Sequence, residues 1–166
     1  MNWTRTLLDG AVMAAVFNLS AIVIMFTNPR YMMACYPAAI RNAVTQPQTK
    51  REKTIYLWSM CAILLPLLAY GAASAATAGI TGFWPLFWTG YVEWLMASLV
   101  DFFLLDMILF QTCKSRMIVP GTEGHPGYGF KQWVCKLALP EHLLLWPLVM
   151  APLCAAAQAE LSLLMR

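Results

Sequence analysis

Charged residues are scarce in this chain of 166 residues, because Asp, Glu, Lys and Arg together make up only 11% of it. A soluble domain carries about 25% charged and about 45–50% apolar residues. The apolar share here is 60%, which is too high for a soluble core of this size. The net charge of +3 is small, and no basic face is long enough to follow a phosphate backbone. We therefore expect no nucleic-acid partner.

The usual sequence signatures of catalysis and metal binding are also missing. The chain has no GxSxG, no HExxH and no Walker A motif. None of its five cysteines forms a CxxC pair, and an odd count without compact spacing argues against a disulfide framework. The methionines are scattered through apolar runs, so we interpret them as packing residues. No cofactor is indicated, and whether the chain is an enzyme stays open, with nothing here favouring catalysis.

Long apolar runs are what the chain does have. A helix that crosses the hydrocarbon needs about 20 mostly apolar residues, and the runs that qualify cover residues 7–26, 55–79, 83–112 and 137–164. Backbone groups in lipid must be bonded internally, so each run is expected to be a helix. Pro147 and Pro152 should kink or interrupt the last one. We predict an all-α fold, in which residues 1–166 form one integral membrane domain with four transmembrane helices.

Lysine and arginine are unevenly distributed among the loops, which predicts an orientation. Residues 28–54 and 113–136 hold most of the basic side chains, whereas residues 80–82 hold none. Short cytoplasmic loops are enriched in Lys and Arg. We therefore place both basic loops in the cytoplasm and both termini outside, in a bacterial-type inner membrane. Trp84 and Trp88 are expected at the outer aromatic belt, and Trp58 and Trp133 at the inner one.

The first cytoplasmic loop contains a short amphipathic pattern. Its Tyr-Pro pair predicts a helix that ends at Ala43, and Met32, Met33, Tyr36 and Ile40 fall on one face. Such a stretch either lies on the inner leaflet, with nearby basic residues close to anionic headgroups, or binds a partner protein. We favour the first interpretation.

The second cytoplasmic loop, which reads IVPGTEGHPGYGF, is rich in glycine: Gly121, Gly124, Gly127 and Gly129 fall within nine residues. Glycine permits tight turns and close approach of the backbone to a ligand, and successive N–H groups can form an anion-binding nest. The loop is therefore either a ligand site or a compact turn that joins two spans. Its aromatic residues at positions 128, 130 and 133 predict that it is ordered and folds back on the helix ends.

Segments of both loops resemble a group of small uncharacterised prokaryotic multi-span membrane proteins. In that group a span leads to NPR, a Tyr-Pro and a basic loop, and a later span with aspartate leads to PGTEG and Tyr-x-Phe. The matching segments here are NPRYMMACYP and VPGTEGHPGYGF, and Asp101 and Asp106 precede the second one at similar spacing. The chain departs from the pattern at Cys35, where an acidic residue is usual, and in its proline-rich last span. The resemblance implies a multi-span fold and brings no activity.

Acidic residues inside the third predicted span are the strongest functional signal. Ionisable groups in a membrane are costly and are functional candidates by default. At about 100° per residue, Glu93 and Asp101 share one broad face, whereas Asp106 lies elsewhere. Asp101 is nearest the middle of the span, and no span core holds a lysine or arginine to pair with it. We predict an ion or proton site of Asp101, Glu93 and Asn18; the alternative is an acid that only joins helices.

A second candidate site lies where the fourth span begins. Glu141 and His142 follow Pro140 and should reach about the level of Asp106. Convergence of these three groups would suit a divalent metal or a proton relay. Glu141 has a simpler explanation as well, because helix N-termini favour acidic residues.

Three functions remain open. The first is an ion- or proton-coupled transporter, which with so few spans would act as a homodimer. The second is a non-catalytic accessory subunit of a larger membrane complex, and the third is a membrane enzyme that acts on a lipid-linked substrate. The small-residue stretch GAASAATAG, at residues 71–79, either packs within the bundle or forms a dimer seam.

Overall fold

A computed structural model describes residues 2–165 as helices and connecting loops, with no strand among the described residues. The all-α prediction is therefore confirmed. The α-helices are α1 (Trp3–Thr27), α2 (Ala38–Ala43), α3 (Lys50–Thr77), α4 (Phe83–Val100), α5 (Phe110–Thr112) and α6 (Ala151–Leu164). Three segments with the wider π-type hydrogen bonding are π1 (Asp101–Leu109), π2 (Lys131–Ala138) and π3 (Glu141–Met150).

Three of the described helices are long and apolar enough to cross a membrane: Trp3–Thr27, Lys50–Thr77 and Lys131–Leu164. The last of these runs continuously through π2, π3 and α6. The predicted third span, residues 83–112, is also one continuous helix but is not among the three. It holds Glu93, Asp101 and Asp106, which makes it the most acidic of the four runs. Four spans therefore stay a prediction.

The outward surface of the long helices is strongly apolar. Leu65, Leu148 and Leu153 are 63%, 71% and 64% exposed. A soluble monomer rarely leaves large contiguous apolar patches in water, whereas lipid tails accept them without cost. The exposed apolar surface thus agrees with the length and hydropathy of the helices in favouring a membrane protein.

The long helices form a ring in the order α1, α4, α6 and α3. The most extensive packing is that of α4 against α1 and α6, while α3 closes the ring against both. The small-residue stretch of α3 faces inward, because Gly71, Ala72, Ser74 and Ala75 are all buried. These residues let α3 approach α6 closely. Their place is therefore within the bundle.

Residues 28–49 and 113–130 cover one end of the bundle, which we call the loop end. Met32, Met33, Tyr36 and Ile40 are buried there in the protein's own core. The expectation that this face lies on the lipid leaflet is therefore wrong.

Tyr36 shows how the first loop is held in the core. Its ring packs edge-on against Trp133, and its hydroxyl donates to the Met117 carbonyl oxygen at 2.6 Å. Burial also raises the pKa of Tyr36.

The glycine-rich loop is ordered and folds back on the helix ends, as predicted. Its anchor is Tyr128, whose hydroxyl accepts from the Val119 N–H at 2.9 Å and lies 2.8 Å from Thr122 Oγ1. Gly121 and Gly124 have φ angles of +84° and +76°, which L-residues rarely adopt.

Two aromatic side chains are not where the sequence predicted them: Phe130 was expected to anchor the glycine-rich loop, and Trp133 was expected at the inner aromatic belt. Phe130 is half exposed and is not an anchor of the loop, whereas Trp133 is buried and stacks on Phe110. Trp133 therefore does not face outward, as a side chain of an aromatic belt would. Its indole N–H donates to the Asp106 carboxylate, so the polar atom of the buried ring has a partner.

Candidate functional site

A partly open cavity of about 360 Å³ lies between the long helices, next to the loop end. Its walls are mostly apolar and come from α1, α3, π1 and the last long helix. The polar side chains that line it include those of Asp101, Asp106, Glu141 and His142. Of the described residues that line it, none is a lysine or arginine. The cavity is thus an apolar chamber with an acidic wall.

His142 is the centre of that wall. Its Nε2 atom lies 3.1 Å from Asp106 Oδ2 and 3.6 Å from Asp101 Oδ2. The histidine is 2% exposed, while both carboxyl groups reach the cavity. One imidazole nitrogen thus faces two carboxylates, an arrangement that can hold and exchange a proton.

The meeting of Asp101 and Asp106 follows from π-helical geometry. The sequence analysis placed them on different faces because it assumed the spacing of an α-helix. In π1 the backbone bonds run from i to i+5, and the wider turn brings residues five apart closer to one face than the α-helical offset of about 140° does. Asp101 and Asp106 are five apart, and both point towards His142. That part of the prediction was wrong for this physical reason.

Two neighbours orient the charged groups. Trp133 donates its indole N–H to Asp106 Oδ1 at 2.7 Å, which leaves Oδ2 for His142. Ser98 Oγ lies 2.8 Å from His142 Nδ1. A serine hydroxyl can donate to a neutral imidazole and accept from a protonated one. Ser98 can therefore bond His142 in both protonation states.

Glu141 lines the same cavity but does not complete a metal site with Asp106 and His142. Within residues 2–165, no group of three or more His, Cys, Asp and Glu side chains is arranged to hold a metal ion. The structure brings Asp106 and His142 together, as the predicted divalent site required. It does not supply the third ligand.

The side chains of Glu93 and Asn18 bond other partners than Asp101. Glu93 Oε2 accepts from Gln158 Nε2 at 2.7 Å, and Gln158 Oε1 accepts from the Trp94 indole N–H at 3.0 Å. Asn18 donates to the carbonyl oxygens of Ala14, at 2.8 Å, and Ala97, at 3.3 Å. The three side chains of the predicted ion or proton site are thus not joined to one another by hydrogen bonds, and the site stays a prediction.

Small residues make room for the Glu93 partner. A Cβ atom at Gly71 would lie 2.6 Å from the Gln158 amide, and one at Gly90 would lie 3.2 Å from it. Gln158 is thus inserted between α3 and α4 at glycines. This buried amide went unnoticed in the sequence, because an isolated Gln in an apolar run gives no spacing signal.

A second polar cluster, at the end of the bundle opposite the loop end, was also missed. Asp9 is buried and accepts from Arg5 Nε at 3.0 Å and from the Tyr70 hydroxyl at 2.7 Å. The Ser74 hydroxyl donates to the same carboxylate. The i, i+4 spacing of Arg5 and Asp9 is a helical ion-pair signal that was available in the sequence.

The glycine-rich loop uses most of its own donors. The N–H groups of Gly121, Gly127 and Gly129 donate to Glu123 Oε1, His125 Nδ1 and the Pro126 carbonyl oxygen. An anion nest needs free N–H groups that converge on a ligand. The loop therefore agrees with a compact turn better than with the predicted ligand site at Gly121, Gly124, Gly127 and Gly129.

The fold and the cavity together define the class: an all-helical protein with membrane-type helices and a cavity with an acidic wall. No family model, no curated protein and no solved structure matches the chain.

Proposed function

We propose that the chain is an ion- or proton-coupled membrane transporter whose coupling site is His142 with Asp101 and Asp106. The observation that carries the proposal is the position of His142 Nε2 between two carboxylates that open onto a cavity. Intramembrane acids are usual at transport sites. All four ionisable groups of the wall lie on π-helical segments, which are frequent at functional positions.

The alternatives have less support. A non-catalytic accessory subunit needs apolar seams but no acidic cavity. A membrane enzyme acting on a lipid-linked substrate would use Asp106, Glu141 and His142, next to the glycine-rich loop, as acid and base. A covalent mechanism would also need a nucleophile, for which the cavity offers the Cys35 thiol. Burial raises the pKa of Cys35 to about 11, which keeps it in the unreactive thiol form at neutral pH.

The topology that belongs with this function has four spans, at residues 7–26, 55–79, 83–112 and 137–164. The loops at residues 28–54 and 113–136 are cytoplasmic, both termini are outside, and the membrane is a bacterial-type inner membrane. The lysine and arginine asymmetry supports this orientation. A C-terminal reporter that is active only in the cytoplasm should be silent, and an active one would contradict the topology. With four spans per chain, we propose a homodimer.

The function is tested by proton movement in sealed vesicles. Purified protein is reconstituted with a trapped pH-sensitive dye and an inside-acid gradient, and monovalent metal ions, divalent metal ions and small organic cations are added in turn. At least one cation should collapse the gradient faster than in protein-free vesicles. Asp101→Asn and His142→Gln should abolish this effect, and Glu160→Gln, an exposed charge removal on α6, should not. No cation-dependent proton movement, or equal movement in all variants, would overturn the proposal.

A further inference from the structure

We infer that the cavity binds a small lipophilic organic cation, such as an amine or a quaternary ammonium compound, in competition with protons. This inference rests on the proposed function, because it names the substrate class of the same site. It follows from three properties of the cavity: its size, its charge and the chemistry of its walls.

The size of the cavity fits an organic molecule. Pockets that hold small organic ligands begin at about 300 Å³, and this one measures about 360 Å³. A bare metal ion would fill only a small part of it. The absence of a three-ligand arrangement of His, Cys, Asp and Glu within residues 2–165 also disfavours a hard metal ion as the occupant.

The charge of the cavity selects a cation. Three carboxyl groups, those of Asp101, Asp106 and Glu141, line it against one imidazole. Since no lysine or arginine is among the described lining residues, no fixed cation neutralises them. Charged groups removed from water need a partner, which a proton or a bound cation supplies. A cation and a proton therefore satisfy the same carboxylates and exclude each other.

The walls of the cavity suit the apolar part of such a ligand. Aromatic rings from different elements line it, and they can stabilise a quaternary or protonated amine through cation–π contact: Phe17, Tyr56, Trp133 and Trp146. Four methionines line it as well, and their flexible thioethers adapt to varied ligand shapes: Met25, Met32, Met60 and Met150. Four of the eleven methionines, scattered in the sequence, thus converge on one chamber. Exchange of the cation for protons at this site would constitute antiport.

The first test is equilibrium binding to the purified protein in detergent, with radiolabelled benzyltrimethylammonium as the probe. This quaternary ion keeps its charge at every pH, so any pH dependence reports on the protein. Unlabelled benzyltrimethylammonium should displace the label, and neopentylbenzene, its neutral isostere, should not. Binding should weaken as the pH falls, because protons occupy the carboxylates. No saturable binding, displacement by the neutral isostere, or binding that does not change with pH would each overturn the inference.

Variants locate the ligand. Asp101→Asn and Glu141→Gln, made separately, should each weaken binding by at least about tenfold, because a buried charge then loses one partner. Glu160→Gln is the matched control, since it removes the same charge from an exposed position of the same long helix. Thermal unfolding of each variant checks that it is folded. Unchanged affinity in both cavity variants would place the ligand elsewhere and overturn the inference.

A soft metal ion is the competing occupant, because sulfur atoms of Met and Cys line the same chamber. Silver(I) is the probe for that alternative. Tight silver binding that persists in Asp101→Asn, together with no benzyltrimethylammonium binding, would favour a soft-metal site instead. The two proposals can also fail separately. Cation binding without proton exchange in vesicles removes the transport function, whereas proton-coupled movement of another ion without organic-cation binding removes only this inference.

Discussion

Ser98 Oγ lies 2.8 Å from Nδ1 of His142, on the side of the ring opposite the two aspartates. Ser98 is fully buried, so its hydroxyl has no bulk water to bond. The contact fixes the plane of the imidazole and directs Nε2 towards Asp106. Ser98 is not among the residues that line the cavity, yet it sets the orientation of His142, which does line it.

We predict that Ser98→Ala reduces cation-dependent proton movement and changes its pH profile, because the His142 ring loses its fixed orientation. Loss of one buried hydrogen bond should also cost about 1 kcal/mol of stability. Ser98→Thr keeps a hydroxyl and should restore most of the activity. The measurement is proton flux in vesicles across a range of pH. A profile in Ser98→Ala identical to that of the parent protein would show that Ser98 serves packing alone.

We predict that Gly71→Ala destabilises the bundle by about 1–3 kcal/mol, as expected for overpacking. The new Cβ atom would lie 2.6 Å from the Gln158 amide. Thermal unfolding in detergent measures the effect, and Ala73→Leu, on the exposed side of α3, is the control. Combining Gly71→Ala with Gln158→Ala should cost less than the sum of the two single changes, since the clash is gone. Simple additivity would contradict the contact.

We predict that Tyr128→Phe loosens the glycine-rich loop. The change leaves the buried Val119 N–H without its acceptor, which costs about 1–3 kcal/mol. Limited proteolysis of the native protein should then cut between residues 119 and 129 faster than in the parent. Tyr31→Phe, in the other loop, is the control for loss of a phenol hydroxyl. Equal cleavage rates in Tyr128→Phe and the parent would show that the hydroxyl does not hold the loop.

The sequence was sufficient for some features of the fold and insufficient for others. Long apolar runs predicted the helices, because burial of backbone groups in lipid leaves few alternatives. The buried side of the first loop was assigned to lipid because an amphipathic pattern does not say what covers its apolar face. Tyr36 belongs to the core only because Trp133 and Met117, distant in sequence, lie against it.

The candidate site was foreseen in its residues and not in its grouping. Asp101 and Asp106 were separated by α-helical periodicity, and only the π-type spacing brings both to His142. No sequence pattern predicts a π-helical segment of this length. Ser98 gave no signal either, because a serine in an apolar helix usually bonds its own backbone.

We predict that the Cys35 thiol reacts slowly with iodoacetamide at pH 8 and much faster near pH 11. Burial raises its pKa to about 11, and only the thiolate is a good nucleophile. Its Sγ atom also lies 3.7 Å from the Tyr56 hydroxyl. Single-cysteine variants that keep Cys35 or the exposed Cys135 allow a direct comparison of rates. Equal rates for the two at pH 8 would contradict the buried position of Cys35.

The final prediction distinguishes a role of Asp101 in proton coupling from a role in helix packing alone. A carboxylate that takes part in coupling must gain and lose a proton, which asparagine cannot do although it keeps the shape and hydrogen-bonding groups. Asp101→Asn should therefore abolish cation-dependent proton movement and leave the unfolding temperature nearly unchanged. If Asp101 served packing alone, Asp101→Asn would be nearly silent in transport and Asp101→Leu would lower the unfolding temperature.

Chemical labelling tests the same carboxylate without mutation. A hydrophobic carbodiimide reacts with protonated carboxyl groups that it can reach, and Asp101 lines the cavity. Glu93 is 1% exposed and is bonded to Gln158, so it should stay unmodified. Mass spectrometry should find the label at Asp101, and benzyltrimethylammonium should protect it, because ligand and reagent need the same carboxylate. Label at Glu93 with Asp101 unmodified would mean that Asp101 is not accessible from the cavity, and the coupling role assigned to it would fail with that result.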